Sequence, residues 1–226
     1  RPALRLASIQ NIQVIHEFTH DSFYVGEDGP THQPIEQIMS LRAIPNFNVY
    51  RPADSKETAS CFKLAIKNKN TPSALILTRQ GVPTLEFSQK QMDENVSKGA
   101  YIVVDSKKTN PDIIIIATGS EVSLAIEVSK SLIDKNVRVI SMPSWEVFSA
   151  QSDKYKKEII PDRGNLKVSL EAGITSGWEK FIGRSGLSIG INHFGSSAPA
   201  NDLAIKFGFT VDKVSSKIEK YIKELL

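Results

Sequence analysis

Residues 113–142 read IIIIATGSEVSLAIEVSKSLIDKNVRVISM, and the succession of patterns in that stretch decides the fold class. The apolar run Ile113–Ala117 stands between Pro111 and Gly119, as a strand buried on both faces does. Ser120 follows as a helix cap. Val122, Ala125, Ile126, Leu132 and Ile133 then form one apolar face, and residues 137–142 return as a second strand. Strand, helix and strand in that order make a βαβ unit, and such units build parallel sheets.

Working outward, the same alternation recurs on both sides. Upstream, residues 14–19, 47–50 and 74–78 read as strands, each rich in Val, Ile, Leu or aromatic residues and followed by polar or turn residues. Between the last two lies a helix with Asp54 as its cap, Glu57 as the capping-box partner, and Thr58, Cys61, Phe62, Ala65 and Ile66 as its apolar stripe. Residues 87–99 turn polar and read as a surface connection. Downstream, residues 166–170 form another strand. Thr210 caps a terminal helix whose apolar face is Val214, Ile218, Tyr221, Ile222 and Leu225. The expectation is two α/β units joined near residues 88–100, without internal repeats.

Composition bounds the rest. With 226 residues, 40% of them apolar, the chain can bury a core. Lys plus Arg is 28 and Asp plus Glu is 25, so the net charge is only +3, which argues against nucleic acid as partner. The single cysteine, Cys61, excludes an intrachain disulfide and points to a reducing, cytoplasmic location, with Cys61 itself in the core. No apolar run approaches the roughly 20 residues that span a bilayer, so no membrane partner is expected. The chain opens at Arg1 and runs directly into Ala3, Leu4, Leu6 and Ala7, as a helix entered midway would, so a piece of a longer polypeptide is expected.

In open parallel sheets, ligands bind beyond the carboxyl ends of the strands. The first strand runs into His20, Asp21 and Ser22, then Gly26-Glu27-Asp28-Gly29-Pro30-Thr31-His32-Gln33-Pro34, a loop with two of the four histidines. An imidazole can exchange a proton near neutral pH, and a carboxylate can accept from sugar hydroxyls. The strand at 74–78 ends at Arg79, whose guanidinium suits a phosphate or carboxylate. Taken singly, each of these is equally a surface residue; their clustering is what singles them out. His16 and His20 are spaced as a helical metal pair but fall on a strand pattern, which separates them. Gly119-Ser120-Glu121 is a helix start, where Glu121 would repel an anion. His193 reads as a loop residue, and Trp145, Trp178 and Phe181 as packing. Phosphate-loop, dinucleotide and hydrolase-elbow fingerprints are absent.

The run Thr19-His20-Asp21-Ser22 with Gly26 to Pro34 resembles transketolase. In order, Asn48-Val49-Tyr50-Arg51-Pro52-Ala53-Asp54, Leu77-Thr78-Arg79-Gln80, Ala117-Thr118-Gly119-Ser120-Glu121-Val122 and Phe207-Gly208-Phe209-Thr210 agree with it too. The resemblance implies an α/β fold of two three-layer αβα units with mostly parallel sheets, the first truncated at its amino end. It implies a pyrimidine-binding domain over 1–90 (its carboxyl-terminal part), a linker and first edge strand over 91–108, and a carboxyl-terminal domain over 109–226. The activity implied is transfer of a two-carbon ketol unit from a ketose phosphate to an aldose phosphate, with thiamine diphosphate and Mg2+ or Ca2+. Carried over by position, His20 and Arg79 contact the sugar's phosphate end and Asp28 accepts a substrate hydroxyl. His32 lies beside the aminopyrimidine and the reacting carbonyl, as both catalytic and cofactor-binding residue. No metal ligand falls in this chain. The expected partners are sugar phosphates, a second subunit of a homodimer, and an amino-terminal domain not contained here. Alone, the piece is expected to be inactive, to bind no cofactor, and to expose an apolar face near residues 1–90 that favours oligomers. Dihydroxyacetone synthase, deoxyxylulose-phosphate synthase and a non-catalytic interaction module are the alternatives.

Overall fold

The structure, a computed structural model, describes residues 1–107, 110–162 and 164–225. The expected division between 108 and 109 lies outside the described residues. The chain runs α1 (Pro2–Ile9), β1 (Ile15–Phe18), α2 (Gln37–Arg42), β2 (Asn48–Tyr50), α3 (Ser55–Lys67), β3 (Ser73–Ile76) and α4 (Gln89–Val96). It continues with β4 (Tyr101–Val104), β5 (Ile113–Ala117), α5 (Glu121–Ser131), β6 (Val137–Ser141), α6 (Trp145–Ser149), α7 (Asp153–Ile159), β7 (Leu166–Leu170), α8 (Glu179–Ile182), β8 (Leu187–Ile189), α9 (Ala200–Phe207) and α10 (Val211–Leu225).

Two sheets result. The first is parallel, in the order β1-β3-β2, with Ile15 opposite Ser73 and Asn48 opposite the same residue on the other side. The second has the order β4-β6-β5-β7-β8, and all its pairings are parallel except the antiparallel edge pair β4-β6. Because side chains alternate faces, each run of apolar residues feeds two cores. Ile113, Ile115 and Ala117 enter one cluster, while Ile114 and Ile116 enter another with Met142, Trp145 and Trp178. In β3, Leu75 joins the first cluster, whereas Ala74 and Ile76 pack with Leu4, Ile38 and Phe47. The largest cluster therefore passes from Tyr50, Cys61 and Leu75 of the first unit into the second without a break. The mixed α/β architecture expected above is the one observed, with Cys61 buried as expected.

Several local readings are corrected. Residues 87–99 are not merely a surface connection: they contain α4, started by a reciprocal Ser88/Gln91 capping box, with Met92 and Val96 buried. Asp54 does cap α3 through the Glu57 N–H, but Glu57 is no surface box partner. Its carboxylate is buried, accepting from Ala53 N–H, from Tyr101 Oη at 2.7 Å and from Ser141 Oγ at 2.6 Å. Ser120 makes no side-chain cap; its hydroxyl donates to Glu121 instead. Ile66 and Ile133 lie exposed rather than in the stripes assigned to them, Ile133 because α5 ends at Ser131. Leu225, at the end of the terminal helix, is also exposed. On the first unit, Leu6, Ile9 and Ile12 are exposed, as is Phe18 at the end of the edge strand β1.

Candidate functional site

The carboxyl ends of the two sheets face each other, and charged or polar residues come immediately after the strands there: Arg51 after β2, Thr118 after β5, Glu171 after β7. They meet in a buried seam. Arg51 is fully buried; its Nε donates to Asp21 Oδ2 at 2.8 Å, and its Nη1 donates to Thr118 O at 2.8 Å, to Thr118 Oγ1 at 2.9 Å and to Glu121. Glu171 takes a two-pronged bond from Arg42 (2.8 Å each), plus Thr118 Oγ1 at 2.7 Å and Trp178 Nε1 at 3.0 Å. Arg42 stacks over Trp145 at 3.9 Å. Gly119 is required here: its φ is +56°, and a Cβ would lie 2.6 Å from Arg51 Cζ.

The electrostatics follow from burial against pairing. Burial by itself would raise the Glu171 carboxyl, but Arg42 and then Arg51 outweigh it and hold it at about 2. At Glu121 burial dominates and the pKa is raised, with Arg51 opposing. Burial also dominates at Glu57, pushing it up to about 7 against its bonds from Ser141 and Tyr101. The Gly119-Ser120-Glu121 step is thus no anion site, since Glu121 already fills it as the counter-ion of Arg51.

Above the seam lie the residues picked from the sequence. His20 and Arg79 are both exposed, on loops leaving β1 and β3; these strands are hydrogen-bonded neighbours, joined further by Leu77 N–H to Phe18 O at 2.7 Å. His20 has φ +63°, and its Nδ1 lies 2.9 Å from Thr19 Oγ1. Asp28 and His32 are exposed further along the same loop, with His32 Nδ1 2.9 Å from Thr31 Oγ1. All four side chains therefore come from loops at one end of the first sheet. Among the described residues no hydrogen bond joins any two of them. A cavity of about 390 Å³ opens beside Phe18, Thr19, Asp21, Pro34, Gln37 and Ile76, and the four side chains are not in its lining. A larger groove, about 780 Å³, runs between the units past Gln80, Leu85, Phe87, Val104, Leu124 and Phe209.

Sequence reasoning gave no role to Asp21, Gln33, Arg51, Glu121 or Glu171. One signal was available: a charged or polar residue directly following an apolar strand, at several strands of both units. Among the described residues, no group of three or more His, Cys, Asp or Glu side chains could hold an ion. Nor, among them, is any helix long and apolar enough to cross a membrane. Trp145, Trp178 and Phe181 pack edge to face on one another, as core aromatics do.

Comparison with known proteins adds independent findings. A family model described as transketolase, pyrimidine binding domain, matches residues 1–84, and one described as transketolase-like C-terminal domain matches 99–210. The chain is 46% identical to a transketolase of Bacillus subtilis over 226 residues, and 47% identical to one of Geobacillus stearothermophilus over 216. It covers 34% and 32% of those proteins, about a third of their length, while 99% and 95% of this chain is matched. The transketolase structure from Leishmania mexicana superposes with a TM-score of 0.91 at 43% identity, over 99% of this chain and 32% of that one. A split-gene transketolase described as an inactive β4 tetramer resembles it in fold alone, with a TM-score of 0.73 at 23% identity, over 92% of this chain and 66% of that one.

Proposed function

We propose, from the premise that this chain belongs to the transketolase family, that it supplies the substrate-facing loop of an enzyme moving a two-carbon ketol unit between sugar phosphates. One observation carries the reading: His20, Asp28, His32 and Arg79 stand exposed on the loops that follow the carboxyl ends of the adjacent parallel strands β1 and β3. In this reading Arg79 and His20 bind the phosphate end of the sugar, the guanidinium through paired charge-assisted bonds and the imidazole as a further donor. Asp28 accepts from a substrate hydroxyl, and His32 moves a proton at the reacting carbonyl oxygen.

Thiamine diphosphate, when bound, stabilises the carbanion that ketol transfer requires. In this reading His32, exposed on its loop, would stand beside it. The described residues present no cluster for a divalent ion, so no step is assigned to one. We further infer that the intact protein is a cytoplasmic homodimer, and that this third of the relatives' length does not catalyse transfer alone.

The test uses the full-length protein that contains this chain. His32→Ala should lower ketol transfer by about 10² to 10⁴-fold, as loss of a proton-transfer group does. Arg79→Ala should weaken phosphorylated acceptors and spare unphosphorylated ones. If Arg79→Ala harms both alike, the phosphate assignment is wrong; if His32→Ala retains full turnover, so is the proton-transfer assignment.

A further inference from the structure

The loop bearing His20, Asp28 and His32 does not rest on its own sheet alone. It is pinned toward the second unit at two points, one next to each imidazole. Beside His20, the buried Asp21 carboxylate accepts from Arg51 Nε at 2.8 Å and from Ser22 Oγ at 3.0 Å, and Arg51 is itself held by Thr118 and Glu121 of the second unit. Beside His32, the buried Gln33 amide donates to Gly26 O at 2.7 Å and Ser196 O at 2.8 Å, and accepts from Ser196 N–H at 3.1 Å. Ser197 Oγ also donates to Glu27 O. Gly195 leaves room for this: a Cβ there would land on Gln33 Oε1.

These pins consist of buried polar groups where apolar packing would be the less costly way to join two units. They also act where the backbone needs restraint. His20 sits at φ +63°, a left-handed conformation that a non-glycine residue keeps only when its surroundings hold it there. Its next residue in the chain is the one Arg51 grips.

We propose that the second unit is a positioning element for the substrate loop, with Asp21 setting the placement of His20 and Gln33 that of His32. This rests on the roles given above to the two histidines. Asp21 and Gln33 touch no reacting atom, so they position and do not catalyse. The two pins then have different kinetic signatures. Displacing His20 weakens the phosphate end, which is binding shared by ground and transition states and appears in KM. Displacing His32 impairs proton transfer, which appears in kcat.

The experiment compares variants of the full-length enzyme with phosphorylated and unphosphorylated aldose acceptors. Asp21→Asn should raise KM for the phosphorylated acceptor by roughly tenfold, with kcat and the unphosphorylated acceptor within about twofold. Gln33→Met should lower kcat by roughly tenfold with KM within about twofold. Tyr101→Phe serves as the structural control, since it removes a bond between the units, to Glu57, away from the loop; it should lower the melting temperature and move neither constant. Should Asp21→Asn fail to fold, Ser22→Ala, which removes one bond to the same carboxylate, should give the same KM-only change at about two- to threefold. The proposal is overturned if the Asp21 or Ser22 variants and Gln33→Met shift kcat and KM together, or shift neither. His20→Ala in the same assay separates the two levels. If it raises KM selectively while Asp21→Asn does not, positioning alone fails; if it has no selective effect, the phosphate reading fails and the positioning role with it.

Discussion

Two regions of the molecule, joined in sequence where His20 meets Asp21, are built on opposite principles. The seam of Asp21, Arg51, Thr118, Glu121 and Glu171 is buried, with its charges paired inside the protein. The rim just outside it, with His20, Asp28, His32 and Arg79, is exposed. The seam carries its charge at a desolvation cost, offset only by close pairing, and so is sensitive to loss of either partner. The rim's groups are hydrated and contribute little to folding. Charge in this chain therefore does two jobs, and burial tells them apart.

The largest effect should come from breaking the seam. Arg51→Met leaves Asp21 and Glu121 buried without their cation and should destabilise the chain by about 3–5 kcal/mol, read from urea unfolding followed by tryptophan fluorescence. A loss below about 1 kcal/mol would mean that the seam is solvated and the contrast false.

Next in size is a pH effect at Glu57, a buried carboxyl between the units that lies outside the seam. Glu57, at about 7, is raised from its ordinary 4.5, so the fold holds its proton more tightly than the unfolded chain does. Its contribution is fully present below about pH 4.5 and is lost as pH rises through about 7, amounting to about 3 kcal/mol. Glu57→Gln should remove that decline. Stability measured from pH 5 to 8 should then fall less in the variant than in the parent; identical slopes would contradict the assignment. Glu171 runs the other way. Held at about 2, it stabilises above pH 4.5, and that contribution is lost as pH falls through 2.

The smallest effects belong to the rim. His20→Ala and Arg79→Ala should change unfolding stability by no more than about 0.5 kcal/mol, whatever they do to catalysis in the full-length protein. A loss of several kcal/mol from either would place it with the seam.

Much of the fold was legible because apolar runs carry their own evidence: Ile113–Ala117 lies buried along its whole length. What periodicity could not see was the polar interior. Arg51 and Glu171 look in sequence like any surface charge, since burial depends on which strand ends meet. Glu57 fits a capping box as a string of letters, while its carboxylate turns inward to Tyr101 and Ser141. Helix α4 hid in a polar stretch because only Met92 and Val96 of it are buried. Ile133 continued a stripe on paper after its helix had ended. The rim residues were legible for the opposite reason, since chemistry exposed on loops past strand ends is written as a contiguous motif.

The most direct measurement is a crystal structure of the full-length protein with a ketose phosphate bound. The account predicts phosphate oxygens within about 2.7–3.2 Å of both the His20 imidazole and the Arg79 guanidinium. A phosphate bound elsewhere, with those two side chains still in solvent, would contradict it.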